Sequence, residues 1–174
     1  MRPLASDDHA RGHLTVLAVL TQAPDHGAAA WRAQYDAYKA TPETYFPLVI
    51  VSKETDRIVG AGTVFLERKF LRGLGRVGHI EDIAVAKDQQ GKKLGLRIIN
   101  ALTSIAENAG CYKTILNCST ANIRTSFSRG LKLQADVSVR CSILPKVWIR
   151  AEGERDGQVR ARASQHARHA IILL

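Results

Sequence analysis

The stretch 78–99 constrains the chain more than any other. It holds Gly-His-Ile-Glu-Asp-Ile-Ala-Val at 78–85, a polar loop Gln90-Gly91-Lys92-Lys93-Leu94-Gly95, and then apolar residues at helical spacing. Leu94, Ile98, Leu102 and Ile105 fall on one stripe with Ile99 and Ala106 beside it, the pattern of an amphipathic helix packed on a sheet. Gly110 ends that helix. The reading is strand, turn, helix. At such a turn the first helical N–H groups have no intrahelical partner, and the aligned peptide dipoles add partial positive charge. Anions bind there. Gly91 and Gly95 let a ligand approach the backbone closely, and Lys92, Lys93 and Arg97 add full charges at the same point. The six loop residues alone are equally a plain polar turn; the flanking strand and helix tilt the reading to a pyrophosphate cradle.

At 174 residues the chain is about one domain and can bury a real core. No apolar run approaches the roughly 20 residues a bilayer crossing needs, and Asp7 and Asp8 follow Met1 too closely for a signal peptide, so a cytoplasmic protein is expected. Cys111, Cys118 and Cys141 have no metal or redox spacing and read as small core residues; no metal is expected. The formal charge of +9 is uneven: residues 123–174 carry 10 Lys/Arg against 4 Asp/Glu. Residues 123–139 have room for one helical turn and a strand at 131–139, whereas the basic tail from 141, without aromatic interleaving or a recognisable motif, reads as solvated and disordered, with neither nucleic acid nor membrane as partner.

Taken in order, Arg2-Pro3-Leu4 fits a short edge strand. Ser6, Asp7 and Asp8 offer caps for a helix with Leu14, Leu17 and Leu20 on its apolar side. A second helix from about Ala28 carries Trp31, Tyr35 and Tyr38 on one face, read as core. The β-branched runs 46–51 and 58–66 form a hairpin, and 71–76 turns the chain into the central strand. Residues 111–118 read as a strand parallel to 80–85, because a helical crossover joins them.

Glu67-Arg68-Lys69-Phe70, Gly78 to Val85, Gln90 to Gly95 and Gly110-Cys111-Tyr112-Lys113 together resemble the GNAT acetyltransferase superfamily, and within it a fungal-type branch that acetylates glucosamine 6-phosphate. The resemblance spans about residues 1–122. It implies an α/β (α+β) fold: a mixed, mostly antiparallel central sheet flanked by helices, with two central strands parallel and splayed for acetyl-CoA. It also implies direct acetyl transfer from acetyl-CoA to the amine of glucosamine 6-phosphate in UDP-N-acetylglucosamine synthesis, by a homodimer. Carried over by position, Ile83, Ala84 and Val85 hold the pantetheine arm. Gln90, Gly91, Lys92, Lys93, Leu94, Gly95, Leu96 and Asn122 complete the acetyl-CoA site. Thr21, Lys69, Phe70, Leu71, Arg72, Glu81, Asp82, Ile83, Tyr112 and Lys113 match the sugar-phosphate site, and Glu81, Asp82 and Asn117 carry the catalytic expectation. The attacking amine must be neutral, so a proton acceptor is required, and Glu81 is the best candidate. His79 is expected to be structural.

Three positions depart from the family. Lys93 stands where a glycine is usual, which is compatible if its φ is ordinary. Asn117 replaces a carboxylate near the amine. Ser126 occupies the place of a tyrosine that serves the leaving thiolate, and a serine hydroxyl is too short to reach the same sulfur. The expected organisation is an acetyltransferase domain at 1–140, degenerate beyond about 122, followed by a basic tail at 141–174; a gene-model or splicing junction near 122 would produce such a break.

Overall fold

A computed structural model describes residues 1–118, 137–141 and 148–150. The chain divides into two compact units, Met1–Thr114 and Ile115–Leu174. In the second, β6 (Val137–Cys141) and β7 (Trp148–Arg150) pair antiparallel, with Val139 opposite Ile149. Strand β7 and Cys141, the last residue of β6, fall within the stretch read as a tail; the rest of that stretch lies outside the described residues.

The first unit is built on a sheet whose strands neighbour one another in chain order. The edge strand β1 (Arg2–Pro3) pairs antiparallel with β2 (Tyr45–Val51), β2 with β3 (Ile58–Arg68), and β3 with β4 (Arg76–Val85). After β4 a 3-10 turn (Lys87–Gln89) leads to the long helix α4 (Leu94–Asn108), and β5 (Cys111–Cys118) follows parallel to β4. Two helices, α1 (His13–Leu17) and α2 (Ala28–Lys39), lie between β1 and β2 in sequence, and a single turn designated α3 (Leu71–Leu74), left-handed from Arg72 to Leu74, joins β3 to β4. Proline at the end of β1 costs no ladder bond, because β1 is an edge.

The expected first helix is shorter than its sequence pattern. It begins only at His13, after Gly12 in the left-handed region, and no side chain caps it. Asp8 is otherwise engaged: fully buried, it accepts two 2.7 Å bonds from the Arg2 guanidinium and one from the Ala5 N–H. A buried carboxylate is tolerated only with such partners, so this pairing outcompetes capping. Leu20 falls beyond the helix and is 49 % exposed.

Each face of the sheet has its own core. Leu4, Val16, Trp31, Val49, Ile58, Ala61 and Ala84 cluster under α1 and α2. On the other face α4 lays Ile98, Leu102 and Ala106 against glycines. A Cβ at Gly62 would stand 2.5 Å from Ile83 Cδ1 and 2.7 Å from Ile98 Cγ2; one at Gly78 would stand 2.8 Å from the Ala106 Cβ. Glycine is what lets the helix sit this close.

The β3–β4 ladder breaks at one point. Ala61 pairs with Ala84 and Thr63 with Glu81, so Gly62 alone opposes both Asp82 and Ile83. This is a β-bulge, with Asp82 at φ 58° supplying the left-handed residue. Aspartate tolerates that region better than most side chains. The bulge reverses the alternation, so that Ile80 and Ile83, three apart, are both packed while Asp82 is exposed.

Two outcomes follow from this packing. Gly62→Ala should cost about 1–3 kcal/mol in urea denaturation, because the neighbours are the close-packed ends of Ile83 and Ile98. Burial alone would raise the Asp8 carboxyl, but Arg2 and the Ala5 N–H outweigh it and hold Asp8 below the usual carboxylate range. Its contribution should therefore be complete above the ordinary carboxylate value and lost as pH falls through its depressed one. Urea midpoints measured against pH should show that acid loss reduced in Asp8→Asn.

Candidate active site

Strand β4 carries the candidate site, with charged elements before its start and after its end. Before it, Lys69 is ion-paired with Glu67, and its N–H is bonded 2.8 Å to the Gly75 carbonyl, closing the turn. Within the turn Arg72, Gly73 and Leu74 are successively left-handed, at φ 57°, 64° and 61°. Phe70 is 96 % exposed, and Leu71 and Leu74 are also open to solvent. Tyr112 on β5 packs its ring against Gly75, where a Cβ would lie 2.8 Å from Tyr112 Cδ1. The Arg72 guanidinium stands 5.6 Å and the Lys113 ammonium 5.9 Å from the centre of that ring. The expected sugar-phosphate residues Arg72, Tyr112 and Lys113 are thus brought together, while Lys69 is already partnered.

His79 has the structural character expected of it. Its ring stacks on Phe65 at 4.6 Å, and its Nε2 lies 2.9 Å from Glu67 Oε2. Lys69 first, and His79 second, hold the Glu67 carboxyl below the usual range. Phe65 also meets the Tyr45 ring at a tilt, 6.1 Å between centres, and Tyr45 in turn stacks on Tyr38 of α2 at 4.4 Å.

At the middle of β4, Asp82 reaches a cavity of about 150 Å³ lined by side chains of α1 and α2, among them His13, Trp31, Gln34 and Tyr38. Thr63, the register partner of Glu81, lines it as well. Glu81 is half-buried and has an interaction partner. The aromatic face of α2 is therefore both core and wall: Trp31 is buried, yet Trp31, Tyr35 and Tyr38 all border this space. His13, Gln34 and Thr63 were not singled out from sequence. The visible signal was the three-residue step from Ile80 to Ile83, which marks the bulge that turns Asp82 toward them. Thr21, exposed, lies between α1 and α2.

Beyond β4 the loop is open. Gln90, Gly91, Lys92 and Lys93 are exposed, and the Gln90 amide donates 3.3 Å to the Val85 carbonyl, tying the loop to the strand end. Helix α4 starts with no side-chain cap and no acidic residue in its first turn. Its first N–H groups, on Leu94, Gly95 and Leu96, keep the donor capacity that an anion would satisfy. Gly91 sits at φ 82°, with open space where a Cβ would be. Ile83 and Val85 border Gly95 from the strand side, whereas Ala84 is buried under the opposite face. Lys93 differs from expectation: its φ is 59°, left-handed rather than ordinary, a conformation in which L side chains crowd the backbone. Asn117 lies on β5 with its side chain outside the described residues, as do Asn122 and Ser126 entirely. Among the described residues no cluster of His, Cys, Asp and Glu is arranged to hold a metal ion, and no helix is long and apolar enough to cross a membrane.

The profile of the acetyltransferase (GNAT) family matches residues 8–125. A glucosamine 6-phosphate N-acetyltransferase from Dictyostelium discoideum is 42% identical over 123 residues, covering 71% of this chain and 78% of the relative. One from Candida albicans is 38% identical over 122 residues, covering 70% and 81%. Among solved structures, the glucosamine-6-phosphate N-acetyltransferase of Arabidopsis thaliana superposes with a TM-score of 0.72 at 29% identity, covering 77% of this chain and 91% of that one. An acetyltransferase of Trypanosoma brucei gives 0.69 at 30%, covering 83% and 97%.

The left-handed Lys93 sets a stability order. Lys93→Gly and Lys93→Ala both remove the charge, but only glycine relieves the backbone, so the glycine variant should be more stable by about 1 kcal/mol in chemical denaturation. The reverse order would mean that Lys93 adopts an ordinary φ.

Proposed function

Because the chain belongs to the GNAT family of acetyltransferases, we propose that it transfers the acetyl group of acetyl-CoA to the 2-amino group of glucosamine 6-phosphate, giving N-acetylglucosamine 6-phosphate and CoA for UDP-N-acetylglucosamine synthesis. One observation carries the reading. A single strand, β4, leads from a cationic turn at its start to an uncapped helix N-terminus after its end, with a bulge and two acids, Glu81 and Asp82, midway. Those three features answer three demands: a phosphate to hold, a pyrophosphate to hold, and an amine to deprotonate.

The residues fit acetyl-CoA at the far end. Gly91 and the free N–H groups of 94–96 would take the pyrophosphate, with Lys92, Lys93 and Arg97 neutralising it. The thioester supplies the acetyl group. Ile83 at the bulge, out of step with the β3 ladder, would offer its backbone to the pantetheine arm and to the thioester oxygen as charge builds there. At the near end Arg72 and Lys113 would hold the sugar phosphate, with Tyr112 fixing both cations. The neutral amine attacks the thioester carbon, its proton passes to Glu81 directly or through water, and the C–S bond breaks as CoA leaves. Asp82 would orient the amine from the cavity side. The homodimer that the resemblance implies, and a cytoplasmic setting, belong to this same reading.

A second reading keeps CoA binding but not turnover. It is favoured by Ser126, which stands where the family has the tyrosine for the departing thiolate.

Thiol release from acetyl-CoA, followed with and without glucosamine 6-phosphate, tests both readings. Acceptor-dependent release is expected, with Glu81→Gln lowering kcat by about a hundredfold. Arg72→Ala should raise KM for the phosphorylated acceptor by about tenfold while changing KM for acetyl-CoA little. Tight CoA binding without release would select the second reading, and failure to bind CoA would remove both.

A further inference from the structure

Trp31 is the centre of the α1–α2 wall, and its surroundings contain a feature that acetyl transfer does not use. Its indole Nε1–H donates to His13 Nδ1 at 3.2 Å, with the two rings edge to face at 5.9 Å. An indole nitrogen can only donate, so His13 must present a lone pair at Nδ1 and carry its proton on Nε2. The bond exists only while His13 is neutral. On its other sides Trp31 stacks on Tyr35 at 5.6 Å and meets the His9 ring at 5.8 Å. Trp31 and His13 also line the cavity that Asp82 reaches. Helix α1 has only five residues; besides the apolar packing of Leu14, Val16 and Leu17 in the core that Trp31 shares, this bond is a polar tie from it to α2.

We propose that neutral His13 latches α1 to α2 through Trp31 and so sets the wall of the cavity at Asp82, and that protonation of His13 releases the latch and weakens acceptor binding. The effect on the acceptor rests on the function proposed above; the latch itself does not.

The groups facing His13 come from three elements. The turn before α1 contributes Asp8, buried and held by Arg2 and Arg11, and His9, whose Nε2 lies 2.9 Å from Asp25. Strand β4 contributes Asp82 across the cavity, and α2 contributes Tyr35 and Tyr38. Burial lowers the His13 pKa and His9 opposes a second positive charge, while Asp8 and Asp82 pull the other way; burial prevails, and the pKa lies below the ordinary 6.5. A folded-state value below the unfolded one means stability that is complete above the unfolded value and declines as pH falls through that value toward the folded one. The latch therefore holds at neutral pH and opens in mild acid.

Two measurements on the full chain decide this. In a Trp148→Phe background Trp31 is the only one of the 2 tryptophans left, and its fluorescence should fall as the pH is lowered from neutral to below the ordinary imidazole value of 6.5, where the adjacent imidazolium forms and quenches it. The same titration in His13→Asn, whose amide oxygen replaces Nδ1 as acceptor but does not titrate, should show a clearly smaller change, the His9 ring beside Trp31 being common to both proteins. Should either variant fail to fold, the Trp31 indole N–H proton resonance of the unmodified chain reads the same bond. Over the same range KM for glucosamine 6-phosphate should rise about tenfold more in the unmodified chain than in His13→Asn, with KM for acetyl-CoA alike in both; ionisation of the acceptor itself acts equally on the two proteins. A Trp31 signal that does not titrate, or titrates alike with and without His13, or identical acceptor profiles in the two proteins, overturns the proposal. A chain that titrates at Trp31 yet never acetylates this acceptor would overturn the choice of substrate and leave the latch standing.

Discussion

The contact between Gly62 and the bulge at Asp82 and Ile83 is the constraint on which the rest of the first unit depends. A flat ladder would send Ile83 to the face that Thr63 and Ala61 share with α1 and α2, and the α4 face would lose one of its contacts. With the extra residue, Ile83 and Val85 turn toward α4, and Gly62 leaves room for Ile83 to lie under Ile98 and Leu102. The same slip frees Asp82 for the opposite side, where the cavity lies. Packing and chemistry thus share one irregularity. A substitution that straightened the strand would misplace a core side chain and a site carboxylate together.

Electrostatics keep the two ends of β4 distinct. At the start, Glu67 sits between Lys69 and His79, so part of the positive charge of the turn is already compensated, and the cations left around Tyr112 are Arg72 and Lys113. After the end, Lys92, Lys93 and Arg97 stand at a helix start whose first turn has no acid. Two anionic groups on two different molecules would therefore find separate partners. Coulomb attraction alone would not sort them, since it is weakly directional and screened within about 10 Å at ordinary ionic strength. Geometry does the sorting: a planar guanidinium held against a ring at one end, a fan of backbone N–H groups at the other.

The central strand, its loop and the amphipathic helix were legible because their signals are local and periodic: Leu94, Ile98 and Leu102 repeat at helical spacing, and Ile80 and Val85 mark a buried strand. The sheet order also followed from short connections and one crossover. What escaped depends on partners far along the chain. Asp8 looks like a helix cap until Arg2 is folded against it, and α1 loses its first turn as a result. Lys93 gives no sign of a left-handed backbone, because lysine has no preference for it; only the geometry of entry into α4 requires it. The pairing of His13 with Trp31 spans 18 positions and two helices, beyond the reach of any periodicity. Asp82 was recognised by resemblance, but the cavity it reaches is lined mainly by residues that read as ordinary core.

The bare start of α4 has a thermodynamic consequence. A helix usually carries its cap in its own sequence; here the missing acceptors would come from an anionic ligand, which completes a structural element as well as occupying a site. Binding to the folded chain alone then adds stability by mass action, about 1.4 kcal/mol for each tenfold excess of free ligand over its Kd. Helix α4 covers the glycine floor formed by Gly60, Gly62 and Gly78, so that gain would be felt throughout this face of the sheet. The lifetime of the protein, and not only its turnover, would follow the ligand concentration around it.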